Sequence, residues 1–231
     1  MKQVHPVDDH LIVTLDGPAG VGKTSLARKV AQALGIAYLD TGAMFRVTAL
    51  KLGEGAWDMP GPQLARKLAA MTFGLEGVGE DSVLFCDGTP VGDEVRTEQV
   101  GMWASRVASR SEIREYQKAA QRAISVRTSL VAEGRDMGSV VFPKARHKFF
   151  LDADPRVRAE RRADQLRAMG QSADLDTIEQ SIRQRDDLDR NRAIAPLAPA
   201  PDAIIIDTST LNLEQVFTRI MDEIRRKPHV L

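Results

Sequence analysis

Gly17-Pro18-Ala19-Gly20-Val21-Gly22-Lys23-Thr24 fits the spacing G-x-x-x-x-G-K-[ST] of a phosphate-binding P-loop. The run His10-Leu11-Ile12-Val13-Thr14-Leu15-Asp16 before it is short, β-branched and aliphatic, the pattern of a buried strand. After it, Leu26, Val30, Ala33 and Leu34 recur at helical spacing. The loop therefore sits between a strand and a helix, the context that the motif needs. Its glycines let successive backbone N–H groups turn toward phosphate oxygens, and the helix N-terminus adds positive partial charge. Gly17, Pro18, Ala19, Gly20, Val21, Gly22, Lys23, Thr24 and Ser25 are the expected nucleotide contacts. Lys23 is expected to reach the β/γ phosphates and Thr24 to ligate Mg²⁺. The stretch predicts a nucleoside-triphosphate site.

Composition bounds the rest. The 231 residues suit one domain with room for an insertion. Apolar residues make up 43 % and charged ones 28 %, enough for a buried core in a soluble protein. The formal net charge is zero, which argues against a general nucleic-acid binder. Cys86 is the sole cysteine, so neither an intramolecular disulfide nor a cysteine-rich metal site is open to the chain. His5, His10, His147 and His229 show no clustered ligand spacing. The opening nine residues lack the apolar core of a signal peptide, and no run approaches membrane-spanning length. A cytoplasmic location is expected, with no membrane partner.

Downstream the chain alternates strand and helix. Ile36-Ala37-Tyr38-Leu39 predicts a second strand, and Thr41 is expected to cap a helix carrying Met44, Val47 and Thr48. Arg46 lies one turn inside that helix. It either leans over the sheet's carboxyl edge, where open parallel sheets bind ligands, or is a solvated helix-face arginine. Residues 60–95 then break the alternation: a short helix is followed by two alternating runs, 71–76 and 82–87, read as an antiparallel β-rich insert. Helix returns from Thr97 to Arg127, broken near Ser109-Arg110-Ser111. A buried strand through Val131 and Ala132 ends in Glu133, where a carboxylate beside a P-loop strand could hold the Mg²⁺ shell.

Lys148-Phe149-Phe150-Leu151 predicts another strand, and Asp154-Pro155 opens a helix with a cap and a proline at its first position. Arg158, Arg161 and Arg162 share one face of that helix by spacing. From Arg156 to Arg192 there are nine arginines and no lysine, a bias suited to bidentate phosphate and carboxylate geometry. Asp176 and Glu179 are expected to form a capping box for the next helix. On that helix Ile178, Ile182, Arg185, Asp189 and Arg192 form one stripe. Its apolar half faces the protein, so the charged half also points inward, toward a buried ion network or a charged, hydroxylated ligand. Ala203 to Asp207 predicts a last strand, and an amphipathic helix from Asn212 closes the chain.

The set Asp16 to Lys23, Asp40-Thr41-Gly42-Ala43-Met44-Phe45-Arg46, Glu133-Gly134-Arg135-Asp136-Met137-Gly138, Val140-Val141-Phe142-Pro143 and Arg185-Asp186-Asp187-Leu188-Asp189-Arg190-Asn191-Arg192 resembles the bacterial cytidylate (CMP/dCMP) kinases, in family order and over nearly the whole chain. The resemblance implies an α/β P-loop NTPase fold of the nucleoside monophosphate kinase type. It has a five-stranded parallel sheet flanked by helices, a small β-rich NMP-binding insert and an Arg-rich helical lid. By position, the core is expected at 8–59, 96–153 and 194–231, the insert at about 60–95 and the lid at about 154–175. It implies ATP and Mg²⁺ as cofactors, CMP and dCMP as partners, and a monomer. Arg46, Arg135 and Arg192 fall at the acceptor phosphate, Thr41 among the other substrate contacts, Arg185 and Asp189 at the ribose, and Ser105, Arg114 and Asp136 at the cytosine edge. Lys23, Arg135, Arg158, Arg162 and Arg192 are expected to act on the transferring phosphoryl group, and Thr24 and Glu133 on the metal. Phe45 stands where the family usually has tyrosine. Two rivals remain. Shikimate- or gluconate-type kinases share the P-loop but generally lack the insert. A GTP-dependent switch would need an N-K-x-D-type motif, which the chain does not contain.

Overall fold

β1 (Ile12–Asp16) is buried at every residue after its first, as a central strand of a parallel sheet must be. The computed structural model describes residues 10–227. The opening nine residues read for a leader, His5, His229 and the outermost ends of the expected core lie outside the described residues. β2 (Ala37–Asp40), β6 (Leu130–Gly134), β7 (His147–Asp152) and β8 (Ile204–Asp207) complete a five-stranded sheet in the order β2-β6-β1-β7-β8. Every pairing in it is parallel, as the strand–helix alternation predicts. The register sets Asp16 opposite Gly134 and Asp40 opposite Glu133. Three motif-bearing strand ends are thereby lined up at one edge.

Helices cover both faces. α1 (Lys23–Leu34) and α8 (Leu213–Arg226) lie on one, where Leu26, Val30, Val216 and Ile220 pack with Leu15, Phe149 and Ile206. On the other face, Met44 of α2 (Thr41–Leu52) and Ile124 of α5 (Ser111–Ser125) pack against Leu39, Leu130 and Ala132. α3 (Gly61–Ala69) and α4 (Glu98–Val107) share a further apolar cluster with α2 and α5 through Leu52, Leu64, Val107 and Ile113. The expected break between the helices of 97–127 falls between α4 and α5.

Between α3 and α4, β3 (Phe73–Glu76), β4 (Val83–Cys86) and β5 (Thr89–Pro90) form a separate antiparallel sheet. Its β3–β4 turn lies beside β2: Ser82 Oγ accepts the Tyr38 backbone N–H at 2.8 Å, and the Gly79 N–H donates to the Ile36 carbonyl at 2.9 Å. These contacts cover an edge strand that would otherwise expose unpaired backbone groups. α6 (Pro155–Ala168) and α7 (Leu175–Asn191) form an arginine-rich hairpin before β8. Among the described residues, no helix is long and apolar enough to cross a membrane.

Two caps differ from expectation. Asp40, not Thr41, caps α2, its carboxylate accepting the Ala43 N–H at 2.8 Å. Asp174, not Asp176, caps α7 by accepting the Thr177 N–H at 2.7 Å. In both cases an acid one or two residues upstream reaches an N–H that the expected cap, already inside the first turn, cannot. Asp176 and Glu179 instead pair with Arg156 of α6.

Candidate active site

The P-loop begins where β1 ends. Gly17 has φ +147°, and a Cβ there would stand 2.1 Å from the Leu151 carbonyl oxygen of β7, so only glycine lets the loop leave the sheet so close to its neighbour. Gly22, at φ +87°, is the left-handed residue that turns the loop into α1. Lys23 is buried, and its Nζ donates to the Pro18 carbonyl at 2.6 Å across the loop. Burial lowers its pKa to about 7; Arg135 and Arg185 push the same way, while Glu133 and Asp16 offset them.

Glu133 ends β6 beside the loop. Thr24 Oγ1 donates to its Oε1 at 2.8 Å and lies 3.1 Å from Oε2. Burial and the charge of Asp40 raise its pKa, against Lys23 and the hydroxyls of Tyr38 and Thr24. A buried carboxylate and a hydroxyl side by side are hard oxygen donors, the kind Mg²⁺ takes while keeping waters and phosphates in its other positions. Among the described residues there is no group of three or more Asp, Glu, His or Cys able to cage a metal alone. The pair suits a cation delivered with a triphosphate.

Beyond β6 the chain is pinned to β1. Asp16 accepts the N–H groups of Met137 and Gly138, each at 2.8 Å, and burial raises its pKa to about 6. That anchor fixes the loop carrying Arg135 and Asp136. Arg135 Nε donates to Asp189 of α7 at 2.9 Å. Arg192, next after α7, approaches Asp189 at 3.8 Å and Asp136 at 3.7 Å, and Arg114 forms a buried ion pair with Asp136. The charged half of the α7 stripe therefore does point inward.

The cations of the site also crowd one another. Among the described residues Arg192 Nη2 is buried with no hydrogen-bond partner, its carboxylate neighbour Asp136 standing 3.7 Å away. Burial lowers the pKa of Arg185, which Arg135 and Arg46 push further down, with Asp189 and Asp186 opposing. Arg46 is lowered by burial and by Arg96, Arg135 and Arg162, against Asp40. It donates to the carbonyls of Val95 and Thr97 at 3.0 and 3.3 Å, and so stands at the joint between the small sheet and α4. Arg46 is thus half-buried at that joint.

Two of the expected site residues, Arg158 and Thr41, have contacts of their own within the fold. Arg158 is 1 % exposed. Its guanidinium is ion-paired with Asp186 and donates to the carbonyls of Ala153 and Ala19, both at 3.0 Å. Only one of its five N–H groups is left for a phosphoryl group. Arg161 turns to the Thr208 and Leu211 carbonyls, so the supposed common face of Arg158, Arg161 and Arg162 is divided, with Arg162 alone exposed. Thr41 is 2 % exposed, and its hydroxyl donates to the Glu133 carbonyl at 2.6 Å, so it braces β6. Ser105 is half-buried on α4 without a hydrogen bond to the Arg114–Asp136 pair.

A parallel sheet with a P-loop at its first strand, an acid at the neighbouring strand end and a ring of arginines opposite defines a P-loop kinase of small phosphorylated acceptors. Residues 13–226 match the family model described as cytidylate kinase. The chain is 55 % identical to a cytidylate kinase of Maridesulfovibrio salexigens, covering 96 % of this chain and 99 % of that one. It is 56 % identical to one of Nitratidesulfovibrio vulgaris (94 % and 93 % covered) and 47 % identical to one of Lawsonia intracellularis (97 % and 99 %). The chain belongs to the cytidylate kinase family.

Sequence reasoning passed over Tyr38 and Asp186 and left Asp16 without a role. Asp16 carried a usable signal, since it is an acid ending a buried strand just as Glu133 is. Tyr38 showed only as an apolar strand residue, and the partner of Asp186 lies 28 residues away on another helix.

Proposed function

We propose that the chain transfers the γ-phosphoryl group of ATP to CMP and dCMP, giving ADP with CDP or dCDP. The observation that carries this reading is the grouping of Lys23, Arg46, Arg185 and Arg192 about Arg135, with burial and the charge of Arg135 lowering the pKa of each, in a chain that matches the cytidylate kinase family from 13 to 226. Family membership over that length speaks against the shikimate- or gluconate-type alternative and against a non-catalytic switch.

The acceptor phosphate oxygen attacks the γ-phosphorus in line, and the β–γ bridging oxygen leaves with ADP. The transition state is loose, so positioning and charge neutralisation supply most of the acceleration. Residues 17–25 cradle the triphosphate through backbone N–H groups. Lys23 exchanges the Pro18 carbonyl for phosphate oxygens and neutralises the migrating group. Thr24 and Glu133 would hold Mg²⁺, which would screen the phosphate charge. Arg46, Arg135 and Arg192 grip the acceptor phosphate, and Arg162 of the lid acts on the transferring phosphoryl group. Arg185 and Asp189 hold the ribose, and Arg114 and Asp136, with Ser105 at the rim, read the base. The small sheet at 60–95 acts as the NMP-binding insert, and the hairpin from 154 acts as the lid that excludes water.

The substrates are cytoplasmic metabolites, which supports a cytoplasmic location. A coupled ADP-release assay across CMP, dCMP, UMP, AMP and shikimate tests the reading: turnover is expected with the cytidylates, and a preference for shikimate, or ATPase activity indifferent to any acceptor, would overturn it.

A further inference from the structure

Glu133 is held from two sides, and the second has no part in the scheme above. Tyr38, on β2, is 4 % exposed, and its hydroxyl donates to Glu133 Oε1 at 2.6 Å. That is the same oxygen that receives Thr24 Oγ1 at 2.8 Å. The terminal torsion of a glutamate is broad and roughly two-fold, so a single short-chain hydroxyl leaves the carboxylate free to swing. A second donor, on a rigid strand and fixed in direction by a buried ring, removes that freedom.

The ring is itself occupied. Arg28 lies on α1 one turn beyond Thr24, and its guanidinium carbon sits 5.2 Å from the Tyr38 ring centroid. Among the described residues its Nε is buried with no hydrogen-bond partner, so the π face is the visible compensation for that burial. A cation over an aromatic face draws electron density from the ring, which strengthens the phenol as a donor to a carboxylate. Arg28, Tyr38, Glu133 and Thr24 form one chain of contacts running from helix to strand to strand and back to the helix.

We propose that Tyr38 is a positioning residue for the metal–nucleotide complex. It fixes the Glu133 carboxylate in the orientation in which it and Thr24 face the metal shell, and Arg28 strengthens that hold through the ring. The inference rests on the assignment of Thr24 and Glu133 to Mg²⁺.

The test reads binding rather than turnover. ADP affinity is measured by calorimetry with Mg²⁺ and with EDTA, and Mn²⁺ affinity for the enzyme–ADP complex by electron paramagnetic resonance. Glu133→Gln tests the underlying assignment and is expected to abolish most of the metal's enhancement of ADP binding. Tyr38→Phe keeps the buried ring. It is expected to leave metal-free ADP affinity within about twofold and to weaken Mn²⁺ binding roughly tenfold, the scale seen when the partner of a metal ligand is removed. Arg28→Met is expected to act in the same direction with a smaller effect. Loss with Glu133→Gln but none with Tyr38→Phe overturns the role of Tyr38 alone. No loss with Glu133→Gln overturns the metal assignment itself. An equal drop of ADP affinity with and without metal in Tyr38→Phe means a packing role and also overturns the inference. Wild-type Mn²⁺ affinity in Arg28→Met removes Arg28 from the relay.

Discussion

Arg158 and Asp186 face each other across the α6–α7 hairpin, with Arg158 Nη1 donating to Asp186 Oδ1 at 3.1 Å and Nη2 paired with Oδ2. The same Nη1 reaches the Ala19 carbonyl of the P-loop. One buried guanidinium therefore joins α6 and α7 to the P-loop. A lysine could not make this contact, because only a planar fork reaches a carboxylate and two carbonyls at once.

Breaking that pair leaves a buried charge unpaired. Arg158→Ala and Asp186→Ala are each expected to lower unfolding free energy by about 3–5 kcal/mol, read from urea denaturation. The double variant Arg158→Met/Asp186→Leu should recover much of the loss. A single-variant loss below about 1 kcal/mol would show that water already reaches the pair.

Lys23 ties binding to pH. Its pKa of about 7 lies below the ordinary 10.5 because it is buried, and a bound triphosphate pulls it back up. At pH 8, ADP or ATP binding should therefore take up as much as about one proton. Calorimetry in Tris and in HEPES reads this as a buffer-dependent enthalpy, and Lys23→Met should abolish both the difference and turnover. The same shift carries a stability sign. Between pH 7 and 10.5 the unfolded lysine holds a proton that the folded one lacks, so nucleotide-free stability gains from rising pH across that window. Asp16 acts oppositely: between 3.8 and about 6 the folded state holds the extra proton, and its contribution falls as pH rises.

Gly17 and Gly22 separate close approach from conformational strain. Both have positive φ, but a Cβ at Gly17 meets the Leu151 carbonyl at 2.1 Å, whereas one at Gly22 meets nothing within 4 Å. Gly22→Ala should cost only the left-handed strain of about 1–2 kcal/mol. Gly17→Ala should cost more, because strand β7 must also move. Thermal unfolding of the two variants measures the gap, and equal melting temperatures would contradict the reported register of β1 and β7.

What the sequence could convey was whatever is local or periodic. The P-loop context, the strands ending at Asp16, Glu133 and Asp207, and the inward stripe of α7 follow from spacing within one element. The capping errors at Thr41 and Asp176 also arose locally, since neighbouring residues competed for the same N–H and only geometry decides. Arg158 is a different case: helical spacing assigned it a face but could not reveal Asp186 as its partner on the next helix. Tyr38 was hidden because an aromatic in a buried strand looks apolar until its hydroxyl is seen to meet Glu133.

The last prediction concerns which acid reads the base. Asp136 is buried against Arg114, whose guanidinium lies 5.7 Å from the Phe45 ring centroid. Asp189 instead holds Arg135 at 2.9 Å, and Arg192 stands between the two acids at 3.7 and 3.8 Å. In Asp189→Ala, Arg135 loses its carboxylate and a sugar hydroxyl loses its acceptor. kcat/KM should fall by the equivalent of about 1–3 kcal/mol, the scale of a lost hydrogen bond to a charged group, and CMP and UMP should suffer alike. Asp136→Ala removes the acceptor proposed to meet the cytosine amino group. UMP carries O4 there, which donates nothing, so CMP should lose more than UMP and the preference between them should narrow. Steady-state kinetics of both variants on both substrates decides the matter. If Asp189→Ala narrows the preference while Asp136→Ala lowers both substrates equally, the sugar and base assignments are exchanged, and the Arg114–Asp136 pair is a structural ion pair.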